Sequence, residues 1–420
     1  MLSLVIKKTD IIYATALVFS LVYGIKFSFF PLSLSKVALI TLFIEYITMK
    51  DTVKAKSLPL SLIAITCIFL LCGIYSAFIT SIRGINDFDF LLKAIYLIYE
   101  PLLGGFLLSQ VFFLKYKFTV RDFAIILRNV GFIQSVLTIA AYLVPNVNLM
   151  YDAIIPNTGN LTVDQNLRVR GFTNLGGAWL SVMLSFSVLC GVYLVEIANS
   201  LKDKLLNIII VVICTAATIA VGRTGLMLSL VIICIYLTRW LFMGGGLKNV
   251  VALIGTIFVI ISITLIVVPD INDMISEETI DWAFEIFLNQ DAGYSTASTD
   301  ELSSMIYLPD DKIELIFGSG FYESGYWKSK RSDSGFIKTI FSIGLLGSVF
   351  FYSVYLYIAQ RTILGYSTNS NLSFFLMLMF SMIFIVEIKE PYLQTIGVPM
   401  IIFSIYFISR TIHYKNTLDD

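Results

Sequence analysis

Twelve hydrophobic runs divide the chain, at about residues 11–30, 33–49, 58–80, 92–114, 122–144, 178–198, 205–222, 224–242, 249–268, 334–358, 371–388 and 392–410. A bilayer core about 30 Å thick is crossed by about 20 apolar residues of helix. The runs therefore predict an all-α polytopic membrane protein of about 12 transmembrane helices, a single integral membrane domain over residues 1–420. Composition agrees. The chain is 57% hydrophobic and 14% charged, with a mean hydropathy of +0.86, and a soluble core cannot use that much apolar surface.

The formal net charge is zero, but the charges are sided. With the N-terminus in the cytoplasm, the cytoplasmic connectors carry Lys7 and Lys8, then Lys50, Lys54 and Lys56, then Lys115, Lys117 and Arg121. They continue with Lys202 and Lys204, Arg239 and Lys248, Arg361, and finally Arg410 and Lys415. The short outer turns hold little beyond Arg83, Arg223 and Lys389. Basic residues stay on the cytoplasmic side, so both termini are expected in the cytoplasm and two long loops, 145–177 and 269–333, outside. MLSLVIKKTD lacks a small-x-small cleavage site and reads as the start of an uncleaved span.

Several chemistries are excluded. The five cysteines, Cys67, Cys72, Cys190, Cys214 and Cys234, all lie within hydrophobic runs, so neither a disulfide framework nor a cysteine metal site is expected. The one histidine, His413, is in the C-terminal tail. That removes histidine general-base chemistry, His-based zinc sites and histidine proton relays. No metal, cofactor or nucleic-acid partner is expected; the lipid bilayer is.

The candidate site residues cluster at the outer boundary. Arg223 sits in CTAATIAVGRTGLMLSL, two hydrophobic helices joined by almost nothing. Gly222 and Gly225 are expected to permit the tight turn. An arginine held there either grips a lipid-linked phosphate through paired charge-assisted hydrogen bonds or snorkels to ordinary headgroups. Arg168 and Arg170 end the first outer loop, followed by Asn174. Two arginines two apart in an extended segment share a face; they bind an anion or are a solvated pair. Lys328, Lys330 and Arg331 make a third basic group, again a binding cluster or a solvated face.

Asp333 follows as the loop enters the apolar run at 334–358. A carboxylate there is placed either to take a proton from a sugar hydroxyl, to cap the helix, or both. Glu323 is a second carboxylate in that loop. Within the spans, Arg128 snorkels or pairs with an acid, and Glu45 and Glu100 either line a cavity or find a basic partner; Glu100 precedes Pro101, a kink position. Glu387, Lys389 and Glu390 crowd the last outer turn, lining an outer cavity or pairing with one another. Residues 280–288 alternate apolar and acidic side chains and predict a short amphipathic helix on the outer leaflet.

Three motifs in order carry a resemblance. Arg168-Val169-Arg170-Gly171-Phe172 with Asn174 and Gly176 resembles an R-x-x-G-x-x-x-N-x-x-G approach to a middle span. Gly222-Arg223-Thr224-Gly225 is similar to a Ser/Gly-Arg-x-Gly turn. Phe317-Gly318-Ser319-Gly320-Phe321, Asp333-Ser334-Gly335-Phe336-Ile337 and Gly344-Leu345-Leu346-Gly347 resemble a GxGF turn, the opening of the next span and its GxxG pair. Together, over about residues 165–350, they resemble the O-antigen polymerase (Wzy) and O-antigen ligase (WaaL) superfamily.

That resemblance implies a GT-C-like membrane glycosyltransferase of the bacterial inner membrane, working at the periplasmic face on oligosaccharide linked to undecaprenyl pyrophosphate. Asp333 and Arg223 would be catalytic. Arg168, Arg170, Asn174, Glu323, Lys328, Lys330, Arg331 and Lys389 would bind substrate. A chain-length regulator and a flippase of the same pathway would be partners. The ligases place histidine where this chain has Asp333, which favours the polymerase. The family's arginine early in the second outer loop is missing, since residues 269–311 contain no Lys or Arg. Ligase and lipid-linked oligosaccharide flippase are the alternatives.

Overall fold

The computed structural model describes residues 8–49, 59–156, 169–242, 248–255, 303, 305–322 and 332–416. Eight helices among them are long and apolar enough to cross a membrane. These are Leu60–Ile82 (α3), Asp89–Phe113 (α4), Val120–Leu143 (α5), Gly177–Ile197 (α7), Leu201–Val221 (α8), Arg223–Phe242 (α9), Gly335–Gly365 (α11) and Ser370–Glu387 (α12). Shorter helices are Lys8–Tyr23 (α1), Leu34–Thr48 (α2), Pro145–Ile154 (α6), Lys312–Phe317 (α10) and Val398–Asn416 (α13). Most of the run at 249–268 and the expected amphipathic helix at 280–288 lie outside the described residues. The chain forms two compact units: Met1–Ala38 with Phe118–Tyr294 and Asn369–Phe375, and Leu39–Lys117 with Ser295–Thr368 and Leu376–Asp420.

In unit one, α7 is the central pillar, buried on every side from Trp179 to Val195. A helix apolar all round belongs in a core. In a bilayer, however, apolar side chains gain little by leaving lipid, so close packing and interhelical hydrogen bonds hold helices together. Unit one uses both. Gly131 of α5 lies against Ser187, Gly191 against Val211 of α8, and Gly225 of α9 against the backbone of Ser181. Ser187 Oγ donates to Leu127 O at 3.0 Å, and Ser185 Oγ to Gly225 O at 2.8 Å. Arg128 is buried within α5 with Asn207 and Asn129 as its hydrogen-bond partners. It therefore does not snorkel out of the unit, and its hydrogen-bonding partners are amides rather than carboxylates. At the other end of the unit, Arg239 Nε pairs with Glu196 Oε1 at 2.9 Å, and its guanidinium stacks 4.2 Å from the Phe374 ring.

In unit two, α3, α4, α11 and α13 pack together with the later turns of α12. Gly105 lets α13 approach α4; a Cβ there would stand 2.8 Å from Phe403 Cβ. Around Glu100 and Pro101, α4 loosens into a π turn at Ile98–Leu102, the usual response to a proline that cannot donate its N–H. Glu100 is buried. Glu45 pairs with Lys115 at 2.8 Å, supplying the basic partner expected for it.

The run at 334–358 is not one straight span. Gly344 has φ 69° and ψ 178° and breaks α11. Thr339 Oγ1 and Tyr352 OH are 3.1 Å apart, and the Phe336 and Tyr352 rings are 4.8 Å apart. On a straight helix thirteen residues rise about 20 Å. Residues 335–343 therefore fold back along the first turns of 345–365. The second part alone, at about 31 Å, is bilayer length.

A break inside an apolar region frees backbone groups that need partners. The Gly318–Gly320 turn supplies them. Ser319 N and Oγ donate to Phe341 O at 2.7 and 2.8 Å, and Gly320 N donates to it at 3.2 Å. α3 completes the seal: Tyr75 OH donates to Phe317 O, Thr80 Oγ1 to Gly320 O, and Ser76 and Ser342 share a hydroxyl bond of 2.8 Å. Arg83 pairs with Glu314 of α10.

Candidate functional site

Each unit holds one group of the expected residues. In unit one the loop before α7 and the α8–α9 turn come together. Val169 N donates to Ala220 O at 3.0 Å, tying the loop to the end of α8. The stem of Arg170 packs on Gly176, where a Cβ would stand 3.1 Å from Arg170 Cγ. Gly222 lies against Gly177 O and Ser181 Oγ. Arg170 and Arg223 therefore flank the start of α7. Gly176, its N-cap residue, provides no side-chain cap. Arg223 opens α9 and is half-buried. Two helix N-termini and the backbones of two arginines thus share one corner of the unit, and helix N-termini and guanidinium groups both attract anions.

The glycines of this corner work differently from the expectation. Gly222 has φ −177°, an extended conformation open to any residue. What excludes a larger side chain is contact: at Gly225 a Cβ would overlap the Ser181 backbone. Gly225 N in turn donates a hydrogen bond to Ser181 Oγ at 3.1 Å.

Arg170 is 5% exposed. Its Nη2 donates to Asp152 Oδ1 at 2.8 Å and Ile155 O at 2.9 Å, while its buried Nε and Nη1 have no hydrogen-bond partner among the described residues. Burial pushes this guanidinium below its ordinary range, and Asp152 opposes the shift; an arginine nonetheless stays charged. One nitrogen anchors the group and two present open donors. Asn174 serves the backbone instead. Its Oδ1 accepts from Lys26 N at 2.5 Å, and its Nδ2 donates to Lys26 O and Pro156 O. Arg168 lies outside the described residues.

In unit two Asp333 is exposed, two residues before α11. It is not the helix cap: Ser334 holds that position and makes no side-chain capping bond. Gly335 packs against Glu387 and Pro391, which brings the start of α11 to the turn after α12. Glu387 is fully buried there. It does not pair with Lys389; its Oε1 accepts from Tyr352 OH at 3.0 Å and its Oε2 from Leu393 N at 2.8 Å. Gln394 Nε2 donates to Thr339 Oγ1 at 2.8 Å, extending the network.

Beside this frame sits a group of charges. Burial raises the proton affinity of Glu390; Lys389, Tyr392 and Lys338 lower it, and Asp333 raises it further. Lys338, which the sequence reading missed, is 9% exposed with its Nζ 5.7 Å from the Tyr322 ring centre. Its only sequence signal was a charge one turn inside an apolar run. Glu323, Lys328, Lys330 and Arg331 lie outside the described residues. Among the described residues no group of three or more His, Cys, Asp or Glu side chains is placed to hold a metal.

Comparison with known proteins finds no family model, no curated protein and no solved structure that matches this chain. The group in unit one can hold a phosphate-like anion. The group in unit two offers carboxylates beside ammonium groups, which can move a proton to or from a hydroxyl.

Proposed function

We propose that this chain is a repeat-unit polysaccharide polymerase: a membrane glycosyltransferase that moves a growing glycan from undecaprenyl pyrophosphate onto a lipid-linked repeat unit at the periplasmic face. The observation that carries this reading is that Arg170 and Arg223 flank the start of α7, with two buried Arg170 nitrogens lacking a hydrogen-bond partner among the described residues. In the reaction the acceptor hydroxyl loses its proton to a carboxylate and its oxygen bonds to the anomeric carbon. The bond from that carbon to the pyrophosphate oxygen breaks, and the electron pair leaves with the pyrophosphate. Fixed positive charge where negative charge develops lowers such a barrier. Arg223 and Arg170 take that role.

The test is a glycan-length ladder from cells carrying Arg223→Ala or Arg170→Ala, with membrane insertion checked in parallel. Single repeats with normal insertion are expected, at a loss of about 100-fold or more in rate. Full-length glycan from either variant would remove that arginine from the reaction. A deletion strain distinguishes ligase: one repeat on the final acceptor marks a polymerase, none a ligase.

The broken helix α11 favours a second reading, a lipid-linked oligosaccharide flippase, because discontinuous helices recur in transporters. Unpolymerised substrate left on the cytoplasmic face of deletion cells would select it; substrate already on the outer face selects the polymerase.

A further inference from the structure

The polymerase reading needs a carboxylate to receive the acceptor's proton, and unit two brings two together. A Cβ on Gly335 would stand 2.7 Å from Pro391 Cα. Asp333 lies two residues before Gly335 and Glu390 one before Pro391, so segments far apart in the chain bring the two acids close enough for the charge of Asp333 to act on Glu390. Lys338, Lys389 and the buried Tyr392 also face Glu390. The turn carrying it is fixed from beneath, since Leu393 N is bonded to the buried Glu387.

A second feature points to a ligand. Gln394 is 1% exposed, and its Oε1 has no hydrogen-bond partner among the described residues. Its Nε2 is bonded to Thr339 on the folded-back part of α11. The open oxygen therefore belongs to an amide held between that segment and the 389–394 turn. A buried carbonyl oxygen is costly without a donor, and a sugar presents several hydroxyl donors.

We propose that Glu390 is a further catalytic group of the glycosyl transfer, receiving the proton of the acceptor sugar hydroxyl, while Asp333 beside it is a positioning residue and Gln394 Oε1 accepts from another hydroxyl of the same sugar. This rests on the transferase reading. As the acceptor oxygen bonds to the anomeric carbon, its proton passes to Glu390, and the donor's pyrophosphate leaves with the bonding electron pair. Paired carboxylates in unlike surroundings divide such work, one holding a proton more tightly than the other. Asp333 is the exposed member and Glu390 the half-buried one.

The test uses the full-length protein in proteoliposomes, supplied with lipid-pyrophosphate-linked oligosaccharide extracted from cells that lack the chain. Polymerisation is followed against pH for the wild type, Glu390→Gln, Glu390→Asp and Asp333→Asn. Glu390→Gln should be about 100-fold slower or worse, and Glu390→Asp should recover part of the rate. Asp333→Asn should still polymerise, with the acidic limb of kcat/KM moved to lower pH, because the charge that raises the proton affinity of Glu390 is gone.

Wild-type rates in Glu390→Gln overturn the proposal. So does an inactive Asp333→Asn beside an active Glu390→Gln, or an unmoved acidic limb in Asp333→Asn. If both of those variants are silent, Glu390→Asp decides: activity with a displaced acidic limb keeps Glu390 in its role, and no activity removes it. A wild type that makes no polymer strikes the transferase reading itself, and the assignment of Glu390 with it.

Discussion

Gly318 and Gly344 meet backbone to backbone. A Cβ on Gly318 would stand 2.6 Å from Gly344 N, and one on Gly344 would stand 2.5 Å from Gly318 N. Both residues have positive φ, 90° and 69°. The contact closes the break in α11 with a turn from the preceding loop, so the apolar run bends without leaving Phe341 O unmet.

Substituting either glycine should therefore open the fold-back. Gly344→Ala forces a side chain into a left-handed conformation, at about 1–3 kcal/mol, and drives it into the backbone of residues 316–318. The thermal midpoint in detergent should fall by several degrees, or the protein should fail to elute as one species. Gly365→Ala, where a Cβ meets nothing within 4 Å, is the control and should hold or raise the midpoint. A Gly344→Ala midpoint equal to the wild type's would mean that the fold-back does not depend on this contact.

Glu387 supports a second prediction. It accepts hydrogen bonds from Tyr352 OH and Leu393 N with its two oxygens. Glu387→Ala strands the buried Leu393 N, at about 1–3 kcal/mol, leaves Tyr352 OH with Thr339 alone, and opens a hole beside Gly335. Glu387→Gln keeps one acceptor oxygen and nearly the same volume, so it should lose markedly less. Comparing the two midpoints checks this: equal losses would show that volume, rather than hydrogen bonding, is what Glu387 contributes.

What could be read from the sequence follows from what is local. Runs of about 20 apolar residues were visible as helices because the bilayer demands that length. Gly318 and Gly320 were visible as a turn, and both do adopt positive φ. The fold-back was hidden, because the chain stays apolar straight through Gly344 and the polar groups that bend it, Thr339, Ser342 and Tyr352, only meet in space. The same holds for the candidate sites. Arg170 and Arg223 stood out as arginines at glycine-rich boundaries, but their common corner depends on Gly176 and Gly222 packing against one helix end. Lys338 and Gln394 gave almost no signal, since their partners come from other segments.

Glu390 sets a pH dependence of stability. Its proton affinity in the folded protein is raised, chiefly by burial and further by Asp333, above the ordinary glutamate value of about 4.3. The folded state thus binds this proton more tightly than the unfolded chain. The stability linked to it is full below the ordinary value and is lost as pH rises through the raised one. Glu390→Gln removes the titration, so its midpoint should gain on the wild type's as pH climbs from 4 towards neutrality. A constant difference between the two across that range would mean that Glu390 titrates as an ordinary exposed glutamate.

Asp333 separates structure from chemistry most cleanly. It is exposed, it precedes the Ser334 cap position of α11, and no capping hydrogen bond from Ser334 depends on it. Losing a true N-cap costs about 1 kcal/mol, whereas surface changes away from such features usually stay within about 0.5 kcal/mol. Asp333→Asn should therefore keep the wild-type midpoint, or rise slightly as a like charge beside Glu390 disappears. Thermal unfolding at pH 7 measures this directly. A drop the size of a lost cap would return Asp333 to the helix and take away its place beside Glu390. An unchanged midpoint makes any altered pH profile in the same variant a property of the reaction rather than of the fold.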